Sequence, residues 1–162
     1  MCILGIDPGT ATTGYGLIEE TDAGINTLEY GVISTPANLT MDKRLVMLYD
    51  RLNEIVVSFK PSSCAVEKLF FRRNVTTAIS VGQARGVILL ALSQNFIPLA
   101  EYTPMEIKLA VAGYGAAEKR QVQMMVQSIL NLSDLPKPDD AADALAIAIC
   151  HLHSKRIMDL YE

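Results

Sequence analysis

Four carboxylates stand at the ends of apolar runs in three separate parts of the chain. Asp7 closes Cys2-Ile3-Leu4-Gly5-Ile6, and Glu67 closes Cys64-Ala65-Val66. Asp140 and Asp143 open a run that reaches Cys150 with no other charge. A carboxylate at the end of a buried strand or helix loses hydration, which is costly unless a partner offsets it. If the four converge, a divalent cation is the partner their chemistry calls for, because hard cations prefer carboxylate oxygen. Two such ions ~3.5–4 Å apart activate a water and stabilise the leaving oxygen of a phosphodiester.

Taken singly, each acid also has an ordinary role. Asp7-Pro8-Gly9-Thr10 is a turn sequence, with Pro presetting one dihedral and Gly supplying another; it also suits a phosphate-binding loop. Glu67 reads as a strand emerging into solvent. Asp140 suits a helix N-cap, with Asp143 favoured by the dipole in the first turn. A joint role has its own support. Neighbouring strands lie ~4.8 Å apart, so if the strand carrying Glu67 pairs with the one carrying Asp7, the two acids repel unless a cation or a proton lies between them. Asp140 and Asp143 are three apart and share one helix face. The residues after them, Ala141 to Ile149, are apolar on nearly every side, as in a helix packed on a sheet.

The elements that position these acids follow from the apolar pattern. Ile3 to Asp7, Gly14 to Glu19 and Leu28 to Ser34 read as three strands of an antiparallel meander, with turn residues Asp22, Gly24 and Asn26 between the last two. Leu45, Leu48, Leu52, Ile55, Val56 and Phe59 recur at helical spacing over residues 41–59, and Pro61 stops that helix. Cys64 to Glu67 is a short buried strand. A helix follows from about Val75 to Gln94, then a strand at Leu99 to Tyr102, and a helix opened by Pro104. Helices at about Glu118 to Leu130 and from Asp139 or Asp140 to about Leu160 complete an order β-β-β-α-β-α-β-α-α-α. Such an order predicts a mixed sheet with helices on both faces, and 162 residues predict a single domain over 1–162.

The net charge of −4 is unevenly distributed. Residues 68–120 carry seven basic side chains (Lys68, Arg72, Arg73, Arg85, Lys108, Lys119, Arg120) against three acidic ones (Glu101, Glu106, Glu118). A polyanion meets the local field rather than the total charge. Cys2, Cys64 and Cys150 lie in apolar contexts without metal-ligand spacing, as expected of reduced thiols in a cytoplasmic protein. No signal peptide and no stretch of ~18 uninterrupted apolar residues is visible. His151 and His153, two apart on a helix, face different directions and make a poor ligand pair.

Together, Gly5-Ile6-Asp7-Pro8-Gly9-Thr10, the strand-end Glu67, Gly82-Gln83-Ala84-Arg85-Gly86 and Asp140-Ala141-Ala142-Asp143-Ala144-Leu145-Ala146 resemble the bacterial Holliday-junction resolvases of the RuvC type, in order and spacing over essentially the whole chain. The resemblance implies a ribonuclease H-like fold with a five-stranded sheet. It implies that Asp7, Glu67, Asp140 and Asp143 are catalytic carboxylates holding Mg²⁺ or Mn²⁺, two ions per subunit. The implied activity is paired, symmetric nicking of four-way DNA junctions in recombination and repair, leaving 5′-phosphate and 3′-hydroxyl ends. Some relatives carry His where this chain has Asp140, and Asp139 is an extra neighbouring acid. The resemblance places Phe70 at the junction crossover and makes Lys108 and Lys119 basic residues that help binding and catalysis; Arg73 beside Phe70 and Arg120 beside Lys119 read from their charge as further phosphate contacts. Gly82 and Gly86 mark a helix face for a homodimer, whose two-fold axis matches that of a four-way junction. The family works with the RuvA–RuvB branch-migration complex. A sugar-kinase or actin-like ATPase is the competing class, but it needs a duplicated domain and a second phosphate loop. A nuclease without junction preference is the other.

Overall fold

A computed structural model describes residues 1–69 and 75–161. Its elements are β1 (Cys2–Asp7), β2 (Thr12–Thr21), β3 (Gly24–Ser34), α1 (Met41–Phe59), β4 (Ser63–Glu67), α2 (Val75–Gln94), β5 (Leu99–Tyr102), α3 (Pro104–Ala112), α4 (Lys119–Ile129) and α5 (Asp139–Asp159). The sheet order is β3-β2-β1-β4-β5. β1, β2 and β3 pair antiparallel, whereas β4 and β5 join β1 in parallel. The expected mixed five-stranded sheet, antiparallel and then parallel, is therefore present.

Strand alternation divides the core in two. Ile3, Ile18 and Ala65 face a cluster built with α3, α4 and α5. Leu4, Ile6, Leu17, Cys64 and Val66 face the other way, into a cluster with α1 and α2. Helices thus cover both faces. The same period of two puts Asp7 and Glu67 on the face of Ile3 and Ala65, beneath α5. The expected antiparallel strands were too short: β2 and β3 extend to a tight turn at Asp22 and Ala23. Asn26 and Thr27 lack an apolar signature because they lie on an edge strand, where backbone pairing with β2 forms the strand.

α5 is buried along Ala141 to Leu152, as expected for a helix without a polar side. Its N-cap is Pro138, so Asp140 lies inside the first turn rather than capping it. α4 is one residue shorter at each end than expected. Glu118 forms its N-cap in a reciprocal capping box with Gln121, and Leu130 is its C-cap. Among the described residues, Thr76–Gln94 is the helix long and apolar enough to cross a membrane by length and composition. Ala84, Ile88, Ala91 and Leu92 of α2 are buried in the second core, while Ile79 and Leu90 are exposed.

Candidate active site and metal centre

Asp7 and Glu67 end the two central strands. The parallel register pairs Ile6 with Val66, which sets the two acids side by side one position further on. The N-terminus of α5 descends onto the same edge because β1 and β2 have no side chains in its path. A Cβ on Gly14 would lie 1.9 Å from the Asp140 carbonyl oxygen, and one on Gly5 would lie 2.1 Å from that of Ala144. A Cβ on Gly16 would meet the Leu145 side chain at 2.7 Å. Glycines at alternate strand positions thus form a trough, and Ala144 and Ala148 supply the matching small surface of α5.

The result is an acidic cluster drawn from distant parts of the chain. Asp7, Asp140 and Asp143 each offer a carboxylate oxygen within 4.8 Å of the others. Glu67 lines the adjoining pocket of about 240 Å³ with Asp143, Lys108 and Lys119. Burial pushes the Asp7 pKa up to about 8, and Glu67, Asp143 and Asp140 add to the shift against the opposing charge of Lys119. Glu67 is also raised, by burial and then by Asp143, with Lys108 and Lys119 opposing. Asp143 is raised by burial despite Lys119. Partly buried carboxylates that repel one another this strongly form a site deficient in positive charge. An all-oxygen donor set with that deficit fits a hard divalent cation.

Polar neighbours orient the acids. The Thr12 hydroxyl donates to Asp140 Oδ2 at 2.6 Å. Lys119 Nζ lies 3.3 Å from Asp143 and 3.5 Å from Asp139. Partial burial works against its charge, but Asp143 and Asp139 outweigh that and raise its pKa. Gln123 donates to Asp139 at 3.1 Å, so this acid turns toward α4 rather than into the cluster. The loop after Asp7 is tied on two sides: Thr10 donates to Ser80 of α2 at 2.9 Å, and Arg44 of α1 donates to the Thr10 carbonyl at 3.1 Å.

The remaining candidates divide. Lys108 and Lys119 reach the pocket, while Arg120 is exposed on α4 outside its lining. Among the described residues, nothing lies within 4 Å of a Cβ added to Gly82 or Gly86, so both sit on a face of α2 that those residues leave open. Phe70 and Arg73 lie outside the described residues. His151 is buried between the Tyr102 hydroxyl (2.8 Å) and the Ser63 hydroxyl (3.0 Å), with burial and then Lys155 pushing its pKa down to about 4. His153 Nδ1 meets the Ala110 carbonyl at 3.1 Å. Both are occupied away from the acids. The sequence reading passed over Thr12 and the glycine trough, although Gly14 and Gly16 at alternate strand positions were a readable signal.

The family model for crossover junction endodeoxyribonuclease RuvC matches residues 3–151. The chain belongs to the RuvC family. A RuvC from Syntrophomonas wolfei is 56% identical over 162 residues, spanning 100% of this chain and 94% of that one. A Desulfitobacterium hafniense RuvC is 55% identical over 98% of this chain and 96% of its own. The solved structure of Thermus thermophilus RuvC in complex with Holliday junction substrate superimposes with a TM-score of 0.92 at 36% identity, covering 97% of this chain and 96% of that one. A yeast mitochondrial Holliday junction resolvase shares the fold, with a TM-score of 0.68 at 15% identity. RuvC membership and the acidic cluster agree on an endonuclease of the ribonuclease H-like type that uses a divalent metal.

Proposed function

We propose that this chain, as a single RuvC nuclease domain, resolves four-way DNA junctions by paired, symmetric nicks during recombination and repair. The observation that carries the reading is the convergence of Asp7, Asp140 and Asp143 beside Glu67 on one sheet edge, with Lys108 and Lys119 at its rim. All four acids are metal ligands in this reading. Mg²⁺ suits oxygen-only donors, with Mn²⁺ able to substitute. Two ions per subunit are part of this reading, with Glu67 beside the group of Asp7, Asp140 and Asp143 as the fourth carboxylate. When bound, the metals supply an activated water and stabilise the leaving oxygen.

The chain's own groups do the rest. Thr12 holds Asp140 in one orientation, and Lys119 swings between Asp143 and an incoming phosphate. Lys108 and Arg120 extend the positive rim, with Phe70 assigned to the junction crossover and Arg73 to a phosphate. Burial first, and the neighbouring acids next, raise the Asp7 pKa, so Asp7 would have to give up its proton to hold a cation there. The products are a 5′-phosphate and a 3′-hydroxyl.

A homodimer formed through the α2 face at Gly82 and Gly86 presents two such sites. The exposed Ile79 and Leu90 on that helix support this assembly. The RuvA–RuvB complex is the expected further partner, and no membrane is involved. A cytoplasmic setting agrees with three unpaired cysteines, two of them buried. The test is a four-way junction labelled on each strand in turn. The expected outcome is ligatable nicks at symmetric positions in two strands of like polarity. Equal cutting of a linear duplex of the same sequence would leave a nuclease but remove the junction specificity.

A further inference from the structure

Arg85 is the one basic residue of α2, and its side chain is only 13% exposed. Its guanidinium reaches the sheet on the face opposite α5, where Nη1 donates to the backbone carbonyl of Glu67 at 2.6 Å. Nη2 pairs with the Glu101 carboxylate of β5 at 2.6 Å. One planar fork therefore joins the last residue of β4 to its neighbouring strand. The register explains the reach, since Val66 pairs with Glu101 and Glu67 with Tyr102.

Glu67 needs such a hold. It is the final residue of its strand, and its side chain is pushed by the like charges of Asp7 and Asp143. The Lys68 amide donates to the Tyr102 carbonyl at 2.8 Å, which fixes the chain just beyond it on the β5 side. Arg85 supplies the second fixed point. α2 does not need Arg85 merely to stay on the sheet, because Ala84, Ile88, Ala91 and Leu92 already bury its inner face. Groups that hold metal ligands in place affect metal affinity although they never touch the ion.

We propose that Arg85 is a positioning residue for Glu67: its guanidinium fastens the Glu67 carbonyl to Glu101 and thereby sets where the Glu67 carboxylate stands against Asp7 and Asp143. This rests on the metal reading above. A lysine cannot replace the fork, because a single ammonium does not present two parallel donors to separated acceptors.

The test is Mn²⁺ binding to the DNA-free protein, followed by loss of the free-ion signal in electron paramagnetic resonance. Arg85→Met is expected to weaken Mn²⁺ binding roughly 10-fold while junction binding in EDTA stays within about two-fold of wild type. Arg85→Lys recovers only part of the loss. Glu101→Gln shifts affinity in the same direction by less, and adding it to Arg85→Met produces no further change, as coupled residues require. Unchanged Mn²⁺ affinity in Arg85→Met overturns the proposal. If that variant does not fold, Glu101→Gln decides, and wild-type Mn²⁺ affinity there overturns it. A wild-type protein that fails to bind Mn²⁺ overturns the metal reading itself, whereas a wild type that binds beside variants that bind equally well overturns only the role of Arg85.

Discussion

At the scale of single residues, charge and burial work against each other in ways that pH exposes. The folded Asp7 pKa of about 8 stands above its ordinary value of 3.8. The metal-free fold therefore has its full Asp7 contribution below the ordinary carboxylate range and loses it as pH rises toward 8. Metal affinity should climb over the same interval, because the metal takes the ionised form. Asp7→Asn is expected to stabilise the metal-free protein at pH 8, by on the order of 2 kcal/mol in urea unfolding, with little effect at pH 4. A destabilised variant at pH 8 would contradict the account. His151 has the opposite sign. Its folded pKa of about 4 lies below the ordinary 6.5, so its contribution is complete above pH 6.5 and is lost as pH falls toward 4. His151→Asn should cost roughly 1–3 kcal/mol at pH 7 through its broken buried hydrogen bonds. It should also flatten the acid loss between pH 6.5 and 4. The four acids stood out in the sequence because Asp7 and Glu67 close apolar runs and Asp140 and Asp143 open one. Thr12 and Arg85 did not, since what matters is their partners, Asp140 and Glu67, which only the folded sheet brings within reach.

At the scale of elements, two sets of glycines stand in opposite surroundings. Gly14 lies where α5 presses on β2, so Gly14→Ala forces its Cβ into the Asp140 carbonyl. Separating helix from strand there is expected to cost about 1–3 kcal/mol and to reduce cleavage strongly, since Asp140 and Asp143 move with the helix. Retained full activity in a stable Gly14→Ala protein would refute the trough as the device that seats the acids. Gly86, by contrast, faces open space. Gly86→Lys should leave the circular dichroism spectrum intact and shift sedimentation toward the monomer. A dimer that persists would move the interface elsewhere. Periodicity made α1 and α5 readable, because their apolar spacing is local. β3 was cut short because Asn26 and Thr27 at the sheet edge owe their strand conformation to β2. The tight seam of Gly5, Gly14 and Gly16 against α5 joins positions well over a hundred residues apart, a distance that spacing within one element does not encode.

At the scale of the whole molecule, a chain of net charge −4 carries Lys108 and Lys119 beside its acidic centre, and these are the side chains that the proposed function turns toward DNA. Lys108→Ala and Lys119→Ala should each lower the salt dependence of junction binding by about one phosphate contact. They should weaken different junction sequences to similar extents; a changed sequence preference at unchanged affinity would count against phosphate contact. The order of strands and helices was readable from the chain, and it put Asp7 and Glu67 at the ends of buried strands. It did not say which way α5 enters, and that entry decides whether Asp140 and Asp143 join Asp7 beside Glu67. The central claim is that Asp7, Glu67, Asp140 and Asp143 act jointly as one metal-dependent site. The most direct measurement is junction binding in EDTA and junction cleavage in Mg²⁺ for Asp7→Asn, Glu67→Gln, Asp140→Asn and Asp143→Asn. Each variant is predicted to bind the junction about as well as wild type and to cut it at least ~1,000-fold more slowly. A single variant that cuts at the wild-type rate, or wild-type cutting in EDTA, would contradict the account.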